Sequence, residues 1–288
     1  MPEVPSGYHA PRGHAHPPTR QPPPRALANS CTLKSVRYEE YAPSPDLKQW
    51  LTCHWVFAVP PHASPFLHAA PPHGTVSLVY TARLRAVILV GPSLDAFTTE
   101  VLPGDEFLGV RLEPGVTSPL LGLHAPDLRS VVTPLALCLP ALAARLDGPL
   151  ASSCSPEETR AIFESAIRAL TPQPPDLHII QAARALIGSG GTLPVRSLAS
   201  VADLSERQFR RRFQTATGLS PKEFARVRRV LAAVVQMLAE PEDGLAPVAA
   251  DSGDADQSHL TREVVTVFGG PPTSVTARLR KIDHRNVW

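Results

Sequence analysis

The amino-acid sequence predicts an α+β protein of two domains: a small N-terminal β-barrel with added helices, and an all-α C-terminal domain with tandem helix–turn–helix units. Three observations predict this fold class. Short runs rich in Val and Leu, bounded by Pro, Gly and His, fill the region from 34 to about 115. Helical spacing replaces them from 116 onward, and the last third of the chain contains two successive helix–turn–helix patterns.

The segment 1–30 comes first along the chain. It contains eight prolines, several histidines and almost no large apolar side chains. This composition predicts a disordered arm, and we expect its deletion to leave folding and DNA binding nearly unchanged. His9, His14 and His16 lie in it, but their flexible Pro-rich spacing argues against a defined metal site.

Residues 34–170 are predicted to form a sensor or dimerisation domain. Four segments have the length and composition of strands: CHWVFAVP (53–60), GTVSLVY (74–80), RAVILVG (85–91) and FLGVRLEPG (107–115). A helix is predicted over 155–170, because Ser155 can cap it, Pro156 suits its first position and an apolar stripe follows. TPQPPD (171–176) then reads as a stiff linker to a second domain over 177–288.

The first helix–turn–helix unit follows the linker. Helices are predicted over 176–191 and 195–202, with a turn at Asp203-Leu204 and a recognition helix that starts at Ser205. Asp tolerates the left-handed backbone that such a turn requires better than most residues do.

The recognition helix of this unit has one apolar and one basic face. Phe209 and Phe213 are spaced to face the core, which leaves Arg207, Arg210 and Arg211 on the outer side. Arginine pairs bidentately with guanine, and the first turns of a major-groove helix reach the base edges. The alternative interpretation is an ordinary solvated basic face.

A long helix over 220–240 then separates the two units. Ser220 can cap it and Pro221 suits its first position. Roughly twenty residues give about 30 Å, close to the ~34 Å repeat of B-DNA, so the helix can hold two recognition helices over successive major-groove segments. Basic residues lie along it, and we expect Arg228 to contact phosphate.

The second unit has the same order of elements. Its first helix is predicted over 245–253, with a turn at Gly253-Asp254 and a recognition helix from about Asp256. The helix that follows, over 269–282, begins at a proline. Exposed amides and hydroxyls at a helix start can hold a phosphate. The predicted contacts of both units are Arg207, Gln208, Arg210, Arg211, Gln257, Ser258, Thr261 and Arg262 with DNA, and Ser205, Arg228, Thr273 and Ser274 with phosphate.

Charge and cysteine usage limit the possible classes of protein. The net charge is only +2, which argues against a generic polyanion binder, although basic residues concentrate in 207–229. The cysteines Cys31, Cys53, Cys138 and Cys154 lack paired spacing, so reduced thiols are expected. Neither a secretory signal nor a membrane span is recognised, so the sequence predicts a cytoplasmic protein without a cofactor or metal.

Two segments, LASVADLSERQFRRRFQTATGLSPKEFARVRR and VAADSGDADQSHLTREVVTVFGGPP, make the region 178–282 resemble the DNA-binding domain of the AraC/XylS family of bacterial transcription regulators. The resemblance implies base contacts from both recognition helices and no enzymatic activity. Two departures from the family pattern fall in the second unit. Asp254 stands where an aromatic residue is usual, and Val264 to Thr266 replace an aromatic residue followed by basic ones. Both changes remove packing or phosphate contact from the second unit.

The segments APSPDLKQWLTCHWVF, PPHGTVSLVY and GVRLEPG more loosely resemble sensor domains of uncharacterised members of that family. By this analogy the N-terminal domain is a cupin-like barrel that binds a small-molecule effector or forms a homodimer, and RNA polymerase is a possible partner. Trp50, Trp55, His73 and Arg111 are the candidate pocket residues. For each of them, an ordinary core or surface position is the alternative.

The leading interpretation is therefore a sequence-specific DNA-binding transcription regulator that is not an enzyme. One alternative is an interaction module whose helix–turn–helix pair has decayed. Another is a cupin-type enzyme fused to a DNA-binding domain, which would need His54, His62, His68 or His73 to gather with carboxylates.

Overall fold

The computed structural model describes residues 36–239 and 257–285. The predicted arm (1–30), with its three histidines, lies outside the described residues. So do Cys31 and the first helix and turn of the second unit (245–253 and Asp254).

The described residues contain nine strands, of which eight lie in the N-terminal part and one near the C-terminal end. They are β1 (Val36–Tyr41), β2 (Leu51–Ala58), β3 (Phe66–Ala70), β4 (Ser77–Thr81), β5 (Ala86–Val90), β6 (Phe97–Val101), β7 (Glu106–Leu112), β8 (Val132–Pro134) and β9 (Ile282–Arg285). Seven strands form one sheet in the order β8-β5-β4-β7-β2-β1-β9, and β3 pairs with β6 separately. The β-rich N-terminal part and the helical C-terminal region confirm the predicted fold class. The sheet is open rather than a closed barrel, because β8 and β9 form its two edges.

Ten α-helices complete the described structure. They are α1 (Thr117–Leu121), α2 (Leu135–Cys138), α3 (Pro140–Ser152), α4 (Pro156–Arg168), α5 (Leu177–Gly188), α6 (Val195–Val201), α7 (Glu206–Thr217), α8 (Pro221–Ala239), α9 (Gln257–Phe268) and α10 (Pro272–Leu279).

One core lies between the sheet and helices α3 and α4. Val87 and Leu89 alternate inward on β5, as a half-buried strand requires, and pack in the same cluster as Leu146 and Phe163. Helix α4 begins as predicted, since the Ser155 side chain accepts a hydrogen bond from the Glu158 amide.

Three phenylalanines make the core of the first helix–turn–helix unit. Phe209, Phe213 and Phe224 are fully buried, and the rings pack in sequence at centroid distances of 5.6 Å. The turn before α7 contains Asp203 at φ 52°, the left-handed conformation expected there.

A third core joins the sheet to the C-terminal helices. Val36 and Phe57 of the sheet belong to the same cluster as Val227 of α8 and Val264 of α9. Strand β9, which follows α10, pairs in parallel with β1. The described residues therefore belong to one compact unit, in which the sheet packs against the C-terminal helices.

Candidate DNA-binding surface and ligand cavity

Helix α7 presents a continuous basic stripe. Arg207, Arg210 and Arg211 are all exposed and lie on one face, since positions i, i+3 and i+4 share a face of a helix. Arg210 pairs with Glu206 at 2.9 Å. Among the described residues, Arg207 and Arg211 have no ion-pair partner. Their guanidinium groups are therefore free for an incoming polyanion.

The opposite side of α7 is anchored. Arg212 binds the carboxylate of Asp176 through its Nε at 2.9 Å and its Nη2 at 2.6 Å. Asp176 is also the N-cap of α5, where it accepts from the Ile179 amide. This double use of one carboxylate fixes the rotation of α7 and keeps its basic stripe outward.

Ser205 and Gln208 form a capping box. The Gln208 amide donates to Ser205 Oγ at 3.3 Å, and Gln208 Oε1 accepts from the Ser205 amide at 3.1 Å. The sequence predicted a phosphate contact from Ser205 and a DNA contact from Gln208. The structure shows the capping role, and a DNA contact from either oxygen would have to break the cap.

Helix α9 is the counterpart of α7 in the second unit. Gln257, Ser258 and Arg262 are exposed, and Thr261 is partly so. Thr261 Oγ1 donates to the backbone oxygen of Gln257 at 2.8 Å, and Arg262 Nε donates to that of Ser258 at 3.2 Å. This exposed face carries fewer positive charges than that of α7.

The second unit is fixed to the long helix by ion pairing and capping. Arg226 of α8 binds Glu263 of α9 at 2.6 Å, and Arg280 Nη2 donates to the Met237 oxygen at the end of α8 at 2.9 Å. Val264 is fully buried. The departure from the family pattern at Val264 therefore falls on the core side of α9.

Thr273 and Ser274 lie exposed in the first turn of α10. Exposed hydroxyls at a helix start suit a phosphate contact, but the Ser274 and Val275 amides of this turn already donate to the Pro271 oxygen at 3.0 Å.

A cavity of about 400 Å³ lies between the sheet and the C-terminal helices. Its walls are largely apolar, and they come from β2, β4 to β7 and the second half of α8. Trp55, His73 and Arg111 line the cavity, as the sequence analysis expected for a pocket. Trp50 does not, because it packs in the core between the sheet and α4.

Arg111 is buried in a polar network at one end of the cavity. Its Nη1 donates to Glu40 Oε1 at 3.0 Å and to Cys53 Sγ at 3.3 Å, and its Nη2 donates to the Tyr38 hydroxyl at 3.1 Å. Burial opposes its charge, but Tyr38, Cys53 and Glu40 hold its pKa above the usual value. Burial raises the pKa of the Cys53 thiol to about 12, so the thiol is protonated at neutral pH.

Arg228 of α8 is largely buried, unlike the exposed Arg207 and Arg211. Its guanidinium is directed inward, burial and repulsion from Arg111 lower its pKa to about 10, and its Nε is buried without a hydrogen-bond partner. The expected phosphate contact does not suit this position, since the group lies inside the protein. Burial and the positive charges of Arg111 and Arg228 also hold the pKa of His73 well below its usual value.

The sequence analysis missed the contribution of α8 to the cavity. Leu231, Val234, Val235 and Leu238 line it. The adjacent positions Val234 and Val235 widen the apolar stripe beyond what one packing partner covers. That width was the signal of a second partner.

The histidines do not assemble a metal site within the described ranges. His54 is buried with its Nε2 at 3.2 Å from Glu164 Oε1, and His68 stacks on Phe57 at 4.4 Å. No group of three or more His, Cys, Asp or Glu side chains that could hold a metal occurs among residues 36–239 and 257–285.

No helix in the described part of the chain is long and apolar enough to cross a membrane.

Two protein families match the chain. A family described as "Helix-turn-helix domain" covers residues 198–278, which span α6 to α10. Residues 198–278 are therefore an AraC-type helix–turn–helix domain, which is the DNA-binding part of a transcription regulator. Residues 39–134, which hold β1 to β8, match a "Domain of unknown function (DUF6597)". No curated protein matches the chain.

The chain is also similar to solved structures. One of ToxT from Vibrio cholerae, at 1.65 Å resolution, shares 12% identity over 78% of this chain and 97% of that chain, with a TM-score of 0.45. ToxT from Vibrio cholerae O395 shares 11% over 81% and 98%, with a TM-score of 0.43. The DNA-binding domain of AdpA, solved with a target DNA, shares 28% over 35% and 92%, with a TM-score of 0.32.

Proposed function

We propose that the regulator reads an asymmetric DNA site of two boxes, one through α7 and one through α9, and that a small molecule in the cavity controls this binding. Dimerisation and contact with RNA polymerase stay predictions.

The exposed stripe of α7 is the observation that carries the first part. Arg207, Arg210 and Arg211 face outward while Arg212 and the phenylalanines face inward, so the helix has one defined side for DNA. Helix α8 has 19 residues and, at about 1.5 Å per residue, spans about 28 Å, near one turn of B-DNA. Gln257, Ser258 and Arg262 then form the second reading face, and Thr273 and Ser274 contact phosphate.

Selection of DNA from a random pool by the purified full chain tests this proposal. Two enriched boxes about one helical turn apart are the expected result. A single box would restrict base reading to α7. No enrichment would contradict the proposal and favour an interaction module with a decayed helix–turn–helix pair.

Arg211→Ala separates base reading from phosphate contact. We expect a loss of about 1–3 kcal/mol on the selected site and relaxed base choice at one position, since arginine discriminates guanine from other bases. Arg145→Ala on α3 is the matched control, because Arg145 is an exposed arginine far along the chain from both units. An equal loss on all DNA sequences would instead make Arg211 a phosphate contact.

For the effector we propose an apolar molecule with one anionic group. The cavity walls are mostly apolar, and they include Arg111 and His73. The positive charges of Arg111 and of the largely buried Arg228 both act on His73, and Glu40 is the carboxylate that pairs with Arg111. Two buried guanidinium groups against one carboxylate leave an excess positive charge, and a buried charge without a partner is unfavourable. An anionic group beside Arg228 would neutralise it, and the apolar body would fill the cavity.

Decanoate and decanol test this assignment, because they differ in charge and share an alkyl chain. We expect decanoate to bind more tightly by isothermal titration calorimetry, and Arg228→Met to abolish the preference. The preference should amount to about tenfold or more, as a charge-assisted hydrogen bond supplies over 1 kcal/mol. Equal binding of both molecules to the wild type would contradict the anionic class, and binding of neither would contradict the cavity as an effector site.

A further inference from the structure

The cavity collects side-chain polar atoms that have no partner inside the protein. In the described part of the chain, seven buried side-chain nitrogen or oxygen atoms lack a hydrogen-bond partner, and four of them belong to residues that line the cavity. These four are Thr75 Oγ1, Thr81 Oγ1, Arg111 Nε and His284 Nδ1. Buried polar groups are nearly always hydrogen-bonded, so these atoms indicate which groups a ligand of the cavity supplies.

Three of these atoms belong to the same end of the cavity. Arg111 is the register partner of Ser77 at the start of β4, and Thr75 is two residues before Ser77. Tyr38 joins His284 to this end, because its hydroxyl accepts from Arg111 Nη2 at 3.1 Å and its ring contacts that of His284 at a centroid distance of 5.8 Å. The polar head of a bound ligand would therefore lie among Thr75, Arg111 and His284.

His284 differs from the other two in the hydrogen bond that it needs. Its Nε2 lies 3.2 Å from the backbone oxygen of Leu279, and a carbonyl oxygen only accepts, so Nε2 carries the ring proton. Burial lowers the pKa of His284 from its usual value, so the ring is uncharged at neutral pH and holds this one proton. Nδ1 is therefore an acceptor, and its partner must be a hydrogen-bond donor.

A carboxylate by itself cannot complete this set of partners. Arg111 Nε is a donor and the Thr75 hydroxyl can donate, so both can bind an anion. An ionised carboxylate only accepts hydrogen bonds, and it would leave His284 Nδ1 without a partner. Two donors beside one acceptor instead fit an anion that has a hydroxyl group close to its charge.

We propose that the effector is a hydroxylated apolar anion. Its anionic group accepts from Arg111 Nε and Thr75, its hydroxyl donates to His284 Nδ1, and its apolar body lies against the walls to which Val79 and Leu231 belong. This inference rests on the proposed function, in which the cavity binds an apolar anion, and it adds the hydroxyl group and the side chain that recognises it.

Decanoate, β-hydroxydecanoate and β-fluorodecanoate test the hydroxyl group. They share a carboxylate and an alkyl chain, and fluorine resembles a hydroxyl in size but cannot donate. We expect isothermal titration calorimetry on the full chain at neutral pH to show β-hydroxydecanoate binding about three- to tenfold more tightly than the other two, as one net hydrogen bond supplies. Equal affinities, or a fluoro acid as tight as the hydroxy acid, would overturn the inference. Binding of none of the three would contradict the proposed function itself.

His284→Phe tests whether Nδ1 is the acceptor. Phe keeps an aromatic ring against Tyr38 but has no nitrogen, so the preference for β-hydroxydecanoate over decanoate should disappear. A purely structural role of His284 would weaken the binding of both acids equally and keep the preference, which would contradict the inference. His62→Phe is the matched control, because His62 is exposed and does not line the cavity, and it should keep the wild-type preference.

Nitrogen NMR of the wild-type chain with isotope-labelled histidine gives a readout that does not depend on the Phe variant. The His284 signals can be assigned by their loss from His284→Gln. We expect the ring to be protonated at Nε2, and the Nδ1 signal to shift with β-hydroxydecanoate but not with β-fluorodecanoate. A ring protonated at Nδ1, or equal shifts with both acids, would overturn the inference.

Discussion

Arg228 provides a sharp test of the link between stability and ligand binding. Replacing it with Met keeps the apolar stem but removes a buried charge that lies against Arg111 and has an unpartnered Nε. A fall in its pKa from 12.5 to about 10 corresponds to about 3 kcal/mol of lost stability. Below about pH 10 the Arg228 guanidinium is protonated in both the folded and the unfolded chain. The whole loss of stability caused by burying its charge is therefore present at neutral pH.

We therefore expect Arg228→Met to raise the free energy of unfolding by about 1–3 kcal/mol, a range that allows for partial solvation of the charge. Urea unfolding followed by circular dichroism, without ligand and at neutral pH, measures it. The matched variant Arg111→Met has the opposite expectation, a loss of about 3–5 kcal/mol, because it leaves Glu40 without its partner. If Arg228→Met lost more than about 1 kcal/mol, Arg228 would be a stabilising group and the argument for an anionic effector would fail.

Three further substitutions test the parts that hold the site in place. Glu164→Gln should lower the free energy of unfolding by about 1–3 kcal/mol at pH 7. Burial acts to raise the pKa of Glu164, but hydrogen bonds from Ser44 and His54 hold it below its usual value. The difference in free energy of unfolding between wild type and variant should therefore shrink as the pH falls below that usual range. A constant difference down to acid pH in urea unfolding would contradict this. Phe213→Ala should lower the free energy of unfolding by about 3–5 kcal/mol and abolish DNA binding, because this fully buried ring supports α7. A melting temperature and a DNA affinity equal to those of the wild type would show that α7 does not depend on the ring. Gly109→Ala would bring a methyl group against the indole of Trp55 and should cost about 1–3 kcal/mol; unchanged stability and tryptophan fluorescence would contradict that packing.

Local sequence signals predicted the helices well. Capping residues and apolar stripes indicated α4 to α8 with ends within a few residues, because caps and helical periodicity are properties of neighbouring positions. The strands β2, β4, β5 and β7 were predicted for the same reason. β6 was not, since FTTEV carries little apolar character, and β9 was not predicted either, because the predicted helix over 269–282 ends where this strand begins.

The positions of site residues were predicted only in part. Outward exposure of Arg207, Arg210 and Arg211 follows from the phase of the buried phenylalanines, which the sequence shows directly. The locations of Trp50 and Arg228 depend on which face of a strand or helix meets another element, and local pattern does not specify that.

The sequence by itself thus determined that this chain has two helix–turn–helix units, a long helix between them and a β-rich partner, because each depends on residues close together along the chain. Only the tertiary structure decided that α8 faces the sheet with Arg228 inward and that β9 joins the sheet edge. Both depend on contacts between segments far apart along the chain, and β1 and β9, which pair at Val36 and Ile282, are almost a full chain length apart. The cavity likewise arises from long-range packing, since it lies between strands and α8, which no local pattern relates.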